Sequence, residues 1–156
     1  AAASAQGLSG DAASDYIRDH RFDVAAAQAA VELQDGLNTG SQEGSLNDLL
    51  TRVLPYHAEV AQKHGLELIM YEGGTHVVGH GALVDDDDLT AFFTYLNYTP
   101  EMAELYRKLL YTWPDIGGTL FGAYSDVSVT GRWGSWGALR TLSDDNPRWD
   151  VLEAAR

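Results

Sequence analysis

The stretch Leu66–Tyr71 (LELIMY) is a short, nearly continuous run of apolar residues, and it decides the fold of this 156-residue chain. A run of this length and character is typical of a strand in a buried parallel sheet. A second run of the same kind, Thr119–Tyr124 (TLFGAY), follows after helical segments. Two such strands with helices between them predict a right-handed βαβ unit and therefore an α/β fold.

The chain before the first strand predicts helices. The first 45 residues show no strand pattern and predict a helical or irregular segment, with an alanine-rich helix over 23–33. A capped helix is predicted to start at Ser45 and to kink or split at Pro55, which lacks a backbone donor. We therefore expect a single domain over 1–156, with the strand-bearing part at 46–156.

Start and stop signals outline the later helices. The four acids Asp85–Asp88 precede an apolar run, and acidic side chains favour helix N-termini, so they predict a helix start. Thr99-Pro100 predicts a second start, and the helix that follows carries Trp113 on its apolar face. Pro114 and Gly117-Gly118 are predicted to end that helix, and a last short helix is expected from Pro147.

Charge and composition narrow the classes of function. The sequence has 10 Lys and Arg against 23 Asp and Glu, a net charge of −13, and no cysteine. This charge repels phosphate backbones and anionic lipid, so neither nucleic acid nor a membrane is an expected partner. The absence of cysteine excludes disulfides, thiolate metal sites and Cys nucleophiles. No apolar run approaches the roughly 20 residues that span a bilayer.

The opening residues Ala1–Ala5 (AAASA) have the small side chains found where signal peptides are cut. They fit a secreted protein whose signal peptide has been cut, and they equally fit a frayed terminus or a cloning scar.

Glu72 directly follows the first apolar run and is the leading candidate for catalysis. It opens the string Glu72-Gly73-Gly74-Thr75-His76. In α/β folds ligands bind at the carboxyl ends of strands, and glycines let a ligand approach the backbone closely. The alternative is a strand-end acid that backbone donors satisfy.

The second run is followed by a polar string and two tryptophans. Asp126 comes two residues after Tyr124, and Trp133 and Trp136 lie in the string GRWGSWG (131–137). Tryptophan rings beside polar groups suit neutral sugars, because the CH face of a pyranose stacks on the ring while its hydroxyls take hydrogen bonds. The alternative is that both tryptophans pack beneath a loop.

These motifs, in this order, resemble the C-terminal part of a TIM-barrel glycoside hydrolase of the large clan that includes cellulases and mannanases. The likeness runs from about Leu46 to the end of the chain. It implies a partial (β/α) barrel, with Glu72 at the position of the nucleophile after the seventh strand. It also implies that Trp133 or Trp136 corresponds to the sugar platform after the eighth strand.

The chain departs from this clan in one large respect. A full barrel needs about 250 residues and eight strands. The clan's acid/base glutamate lies in an Asn-Glu pair, which this sequence lacks. Asp126 is then the first candidate for the second carboxylate and Asp85 the next. The open sheet edges are expected to be covered by the N-terminal helices or by pairing of subunits.

Metal chemistry is the main rival to a sugar site. His76 and His80 are four residues apart and are flanked by Glu72 and Asp85, so two histidines and a carboxylate are a conceivable metal site. Asp85–Asp88 is a conceivable loose calcium site, although it fails the EF-hand pattern. No cofactor is expected.

The sequence therefore predicts a glycoside hydrolase that acts on a neutral β-linked polysaccharide or oligosaccharide. The alternatives are a non-catalytic carbohydrate-binding or structural fragment of such a barrel and, less favoured, a metal-dependent hydrolase that uses His76 and His80. The catalytic candidates are Glu72 and Asp126, and the substrate-binding candidates are Tyr71, His76, His80, Tyr124, Trp133 and Trp136.

Overall fold

Two parallel strands form the sheet in the computed structural model of the protein, which describes residues 2–156. Strand β1 is Leu68–Gly73 and strand β2 is Gly118–Ala123. Leu68 pairs with Gly118 and Gly73 with Ala123, so both strands end at the same edge of the sheet. The two predicted strands are confirmed, the first displaced by two residues and the second by one.

Helices make up most of the remaining regular structure. They are α1 Ala2–Ala5, α2 Gly10–Asp19, α3 Asp23–Asp35, α4 Leu46–Asp48, α5 Leu54–Lys63, α6 Asp87–Leu96, α7 Pro100–Ile116 and α8 Pro147–Ala154, with a π-helical turn at Leu49–Val53 and a 3₁₀ turn at Gly81–Leu83. Both α6 and α7 lie between the two strands in sequence, as a βαβ unit requires.

The helix starts follow the capping signals in the sequence. Ser45 Oγ accepts a hydrogen bond from Asp48 N at 3.2 Å, and Asp86 Oδ1 accepts from Leu89 N at 2.9 Å. Thr99 Oγ1 accepts from Met102 N at 3.3 Å. Each of these oxygens satisfies a backbone donor that has no partner within its helix, so the predicted starts are confirmed.

The two prolines expected to break helices have smaller effects. The helical path continues across Pro55, and the irregularity takes the form of the π-helical turn Leu49–Val53 just before it. The prediction that Pro114 ends its helix is wrong, because α7 continues to Ile116. A proline in the last turn removes only one backbone donor. The helix ends at the other predicted stop signal, Gly117, whose φ of 103° provides a left-handed cap.

The core is divided into two clusters. One joins α3, α6, α7 and α8 through Ala26, Leu96, Met102, Tyr106 and Val151. The other places Leu50, Leu54 and Trp113 against Leu68, Met70 and Phe121 of the sheet. Trp113 is a core residue, as its place on the α7 stripe predicts.

Only one face of the sheet is covered, which corrects the expectation of two buried strands. Ile69 is 50%, Leu120 60% and Tyr71 82% exposed. Alternate residues of a strand point to opposite faces. The second cluster covers the face with Leu68, Met70 and Phe121, and the other face stays open. The main contacts of α3 are with α4, α6 and α7, so this N-terminal helix adds to the helical layer.

The fold is therefore a mixed α/β structure with a helix-rich N-terminal segment, as predicted. The two strands in residues 2–156 do not close a barrel. None of the helices in this range is long and apolar enough to cross a membrane.

Candidate functional site

A cavity of about 300 Å³ lies at the carboxyl ends of the two strands. Its lining consists of Glu72, Gly73, Gly74, Thr75, His76, Tyr124 and Trp136. The lining comes from the end of β1, from the loop after it (residues 74–80, the β1 loop) and from the loop after β2 (residues 124–140, the β2 loop). The parallel pairing brings these loops together, because both strands end at one edge.

Gly74 is required where the chain leaves β1. Its φ is 146°, and a Cβ at this position would lie 2.8 Å from the hydroxyl oxygen of Tyr106. The close approach lets Thr75 N donate to that hydroxyl over 2.9 Å. Tyr106 is a buried residue of α7, so the helix fixes the start of the β1 loop.

Aromatic rings form one wall of the cavity. The Trp136 ring lies 6.0 Å from the Tyr124 ring, edge to face, and 5.6 Å from the His76 ring, measured between centroids. His76 Nε2 donates to the carbonyl oxygen of Trp133 over 3.1 Å. A neutral His76 then has Nδ1 free to accept a hydrogen bond. The wall therefore combines a stacking surface with a polar ring atom.

Glu72 supplies the only carboxylate among the lining residues of this cavity, all of which lie within the described range. Its side chain is exposed, which corrects the expectation of a buried strand-end acid. None of the hydrogen bonds within residues 2–156 involves its carboxylate. The alternative of a strand-end acid that backbone donors satisfy is therefore wrong. The carboxylate is open to a ligand.

The remaining candidates lie outside the cavity. Asp126 lines a different cavity of about 420 Å³, next to β2 and α8. Tyr71 lies on the open face of the sheet, and His80 is an exposed residue just before the 3₁₀ turn. Trp133 is 64% exposed, with the guanidinium of Arg132 5.6 Å from its ring centroid. The structure thus brings Glu72, His76, Tyr124 and Trp136 together in the cavity and leaves Asp126, Tyr71 and His80 outside it, while Trp133 contacts His76 only through its backbone carbonyl.

Two of the four acids proposed for calcium have other partners. Asp85 forms an ion pair with Arg132, and Asp86 caps α6. Within residues 2–156 no three His, Cys, Asp or Glu side chains are grouped so that they could hold a metal ion. His76 is bonded to a carbonyl and lines the cavity with Glu72, while His80 does not line it.

Sequence reasoning missed the polar groups beneath the cavity. Tyr98 Oη donates to the carbonyl of Gly137 over 3.0 Å, and Asn146 Nδ2 donates to Ala138 O over 3.0 Å. Arg148 is 0% exposed and also bonds carbonyls of the β2 loop. The sequence indicates Tyr106 only weakly, through its position on the apolar stripe of α7, four residues after Met102. No sequence pattern indicates Arg148, because an arginine at a helix start is usually a surface residue.

No protein-family model matches this chain, and neither the curated proteins nor the solved structures contain a significant match to it. The functional argument therefore depends on the residues and the geometry of the site.

Proposed function

We propose that this chain carries the nucleophile or general base of a glycoside hydrolase acting on a neutral β-linked polysaccharide or oligosaccharide, and that Glu72 is this group. The observation that carries the proposal is the shared cavity, in which an open carboxylate and an aromatic wall meet at the carboxyl ends of parallel strands. Ligand sites of α/β folds occupy this position.

Each wall residue has a role that suits a sugar. The Trp136 ring stacks against the CH face of a pyranose, and Tyr124 completes the aromatic surface. His76 Nδ1 accepts a hydroxyl hydrogen, since Nε2 is bonded to Trp133 O. The cavity is at the small end of the range for ligand pockets, which suits a single ring. Trp133, exposed beside the cavity, would take the next ring of a chain.

Glycoside hydrolysis by this route needs a second carboxylate. Retaining enzymes place the two carboxyl groups about 5 Å apart, and inverting enzymes place them roughly 6.5–9.5 Å apart. Asp126 is the sequence candidate, but it lines the neighbouring cavity. We therefore also propose that further parallel βα units complete a barrel on the open sheet and bring the acid. The exposed Ile69 and Leu120 support this, because parallel sheets are ordinarily covered on both faces.

Two further parts of the proposal are independent of the reaction. Pairing of two copies of this chain is one way to cover the open sheet edges. Secretion fits a polysaccharide substrate.

A non-catalytic carbohydrate-binding protein is the second candidate. One observation favours it: the cavity contains a single carboxylate among its lining residues. In that case the aromatic wall binds the glycan and Glu72 accepts a hydroxyl hydrogen without taking part in a reaction.

The discriminating experiment pairs a reducing-sugar assay with a pull-down on cellulose, mannan and β-1,3-glucan. With the βα units that bring the acid present, the hydrolase proposal predicts turnover by the wild type and a loss of about 10³-fold or more in Glu72→Gln, with binding kept. Glu67→Gln, an exposed acid at the opposite end of β1, is the matched control and should keep full activity. Binding without turnover would favour the second candidate. A loss below about tenfold in Glu72→Gln would remove Glu72 from the reaction.

A further inference from the structure

Arg148 is a buried cation without a carboxylate partner. It lies in the first turn of α8 with 0% exposure, and no ion pair within residues 2–156 includes it. Burying a charged group is costly unless hydrogen bonds replace its water. Its partners therefore indicate what the residue does in this fold.

Those partners are the carbonyls on either side of Trp136. Arg148 Nη1 donates to Ser135 O over 3.0 Å, and Nη2 donates to Gly137 O. Nη1 also lies 3.3 Å from Asn97 Oδ1, which accepts from it. The planar guanidinium presents its donors in a fixed fork, so these bonds fix direction as well as distance. Arg148 thus holds the Ser135–Trp136 peptide group and the Gly137–Ala138 peptide group, one residue further along.

Two tyrosines hold the guanidinium in turn. Its central carbon lies 4.6 Å from the centroid of the Tyr98 ring and 5.5 Å from that of Tyr106. Tyr98 Oη donates to Gly137 O, the same carbonyl that Arg148 bonds. Tyr106 Oη accepts from Thr75 N in the β1 loop. The two loops that line the cavity are therefore held by one cluster, which consists of the buried Arg148 and Tyr106 and the half-buried Tyr98.

The Trp136 backbone is held on its other side by the β2 loop itself. Ser125 N donates to Trp136 O over 3.1 Å, and Ala138 N donates to Ser125 O over 2.8 Å. The indole extends from this fixed backbone into the cavity beside Tyr124 and His76. A rotation of the Ser135–Trp136 peptide group would redirect the indole within the cavity that Glu72 also lines.

We propose that Arg148 is a positioning residue that sets the orientation of the Trp136 ring, and with it the affinity of the cavity for its ligand. The part that concerns the ligand rests on the proposed function. The part that concerns the ring does not.

The test is a ¹⁵N spectrum of the tryptophan indoles in Arg148→Lys and Arg148→Met. Trp136→Phe identifies the Trp136 signal by its loss, and Trp113, buried in the second cluster, reports on the overall fold. Arg107→Met is the matched control, since Arg107 is an exposed arginine that pairs only with Glu104 in the described range. We expect the Trp136 signal to move or split in both Arg148 variants while that of Trp113 stays in place.

Ligand affinity provides the second readout. For cellohexaose or mannohexaose, whichever the wild type binds, we expect about tenfold weaker binding or more in Arg148→Met, the size of one lost charge-assisted hydrogen bond. Arg148→Lys keeps the charge but not the fork, so its loss should be smaller. Arg107→Met should bind like the wild type.

An unmoved Trp136 signal in Arg148→Lys and Arg148→Met would overturn the proposal. If Arg148→Met does not fold, Arg148→Lys alone decides, because a lysine cannot reproduce both carbonyl bonds in the same geometry. A wild type that binds no oligosaccharide would defeat the proposed function, and the indole signals would still decide the role of Arg148.

Discussion

The two loops that form the cavity are held to the fold in different ways. The β1 loop has one buried anchor, the hydroxyl of Tyr106 that accepts from Thr75 N, besides the His76 contact to the other loop. The β2 loop is held by Arg148, Tyr98 and Asn146 and by hydrogen bonds within itself. Trp136 and Tyr124 are therefore fixed before a ligand arrives, whereas the stretch that follows Glu72, which includes His76, has more freedom to adjust.

The largest effect on stability is expected from Asn146→Ala. Asn146 Nδ2 donates to Ala138 O, and its Oδ1 caps α8 by accepting from Trp149 N at 3.1 Å. Losing a buried hydrogen bond and a cap should lower the free energy of unfolding by about 2–3 kcal/mol. Urea denaturation measures this.

Asn38→Ala is the matched control for that variant. The Asn38 amide also donates to a backbone carbonyl, Gln28 O at 2.8 Å, but on the surface. Asn38→Ala should lower the free energy of unfolding by much less than Asn146→Ala does. Equal losses in the two variants would contradict the strong anchoring of the β2 loop.

A smaller effect is expected from Tyr106→Phe, which tests the single anchor of the β1 loop. Removing the hydroxyl leaves Thr75 N without its partner and should cost about 1–2 kcal/mol. Amide hydrogen exchange at Thr75 should become faster while Ala138 keeps its protection.

Tyr111→Phe, on the exposed side of the same helix, should change neither the free energy of unfolding nor the amide exchange at Thr75. Unchanged exchange at Thr75 in Tyr106→Phe would show that the β1 loop is held by something else.

These comparisons also show how much the sequence predicts. Both strands and three helix caps follow from local patterns, and placing Glu72 near Trp136 needs only the parallel strand order. Periodicity does not tell which face of a strand is covered, so the exposure of Tyr71 could not be predicted. The role of Arg148 depends on contacts with residues 11 to 51 positions away in sequence. Trp133 and Trp136 lie in the same loop, and only the folded path of that loop determines that Trp136, and not Trp133, lines the cavity.

The smallest effect is expected on the way the melting temperature falls with pH, to which Asp144 contributes through its contact with the β2 loop. Hydrogen bonds from the Arg140 side chain hold the pKa of Asp144 well below its usual range. A lowered pKa means that this stabilisation is complete above the unfolded value of 3.8 and is lost as pH falls further. The melting temperature of the wild type should therefore drop more steeply below about pH 4 than that of Asp144→Asn.

Asp145→Asn, at the next and exposed position, is the control for this pH profile. It should follow the wild type. Identical slopes in Asp144→Asn and the wild type would contradict the contribution of Asp144 to the anchoring of the β2 loop.

The central claim is that Glu72 and Trp136 bind the same sugar. Its most direct test is a titration of ¹⁵N-labelled protein with cellohexaose and mannohexaose. The account predicts that the backbone amides of 73–76 and the Trp136 indole shift together, with one Kd, while the Trp113 indole does not move. Shifts confined to one loop, shifts elsewhere, or no shift with any neutral β-linked oligosaccharide would contradict it.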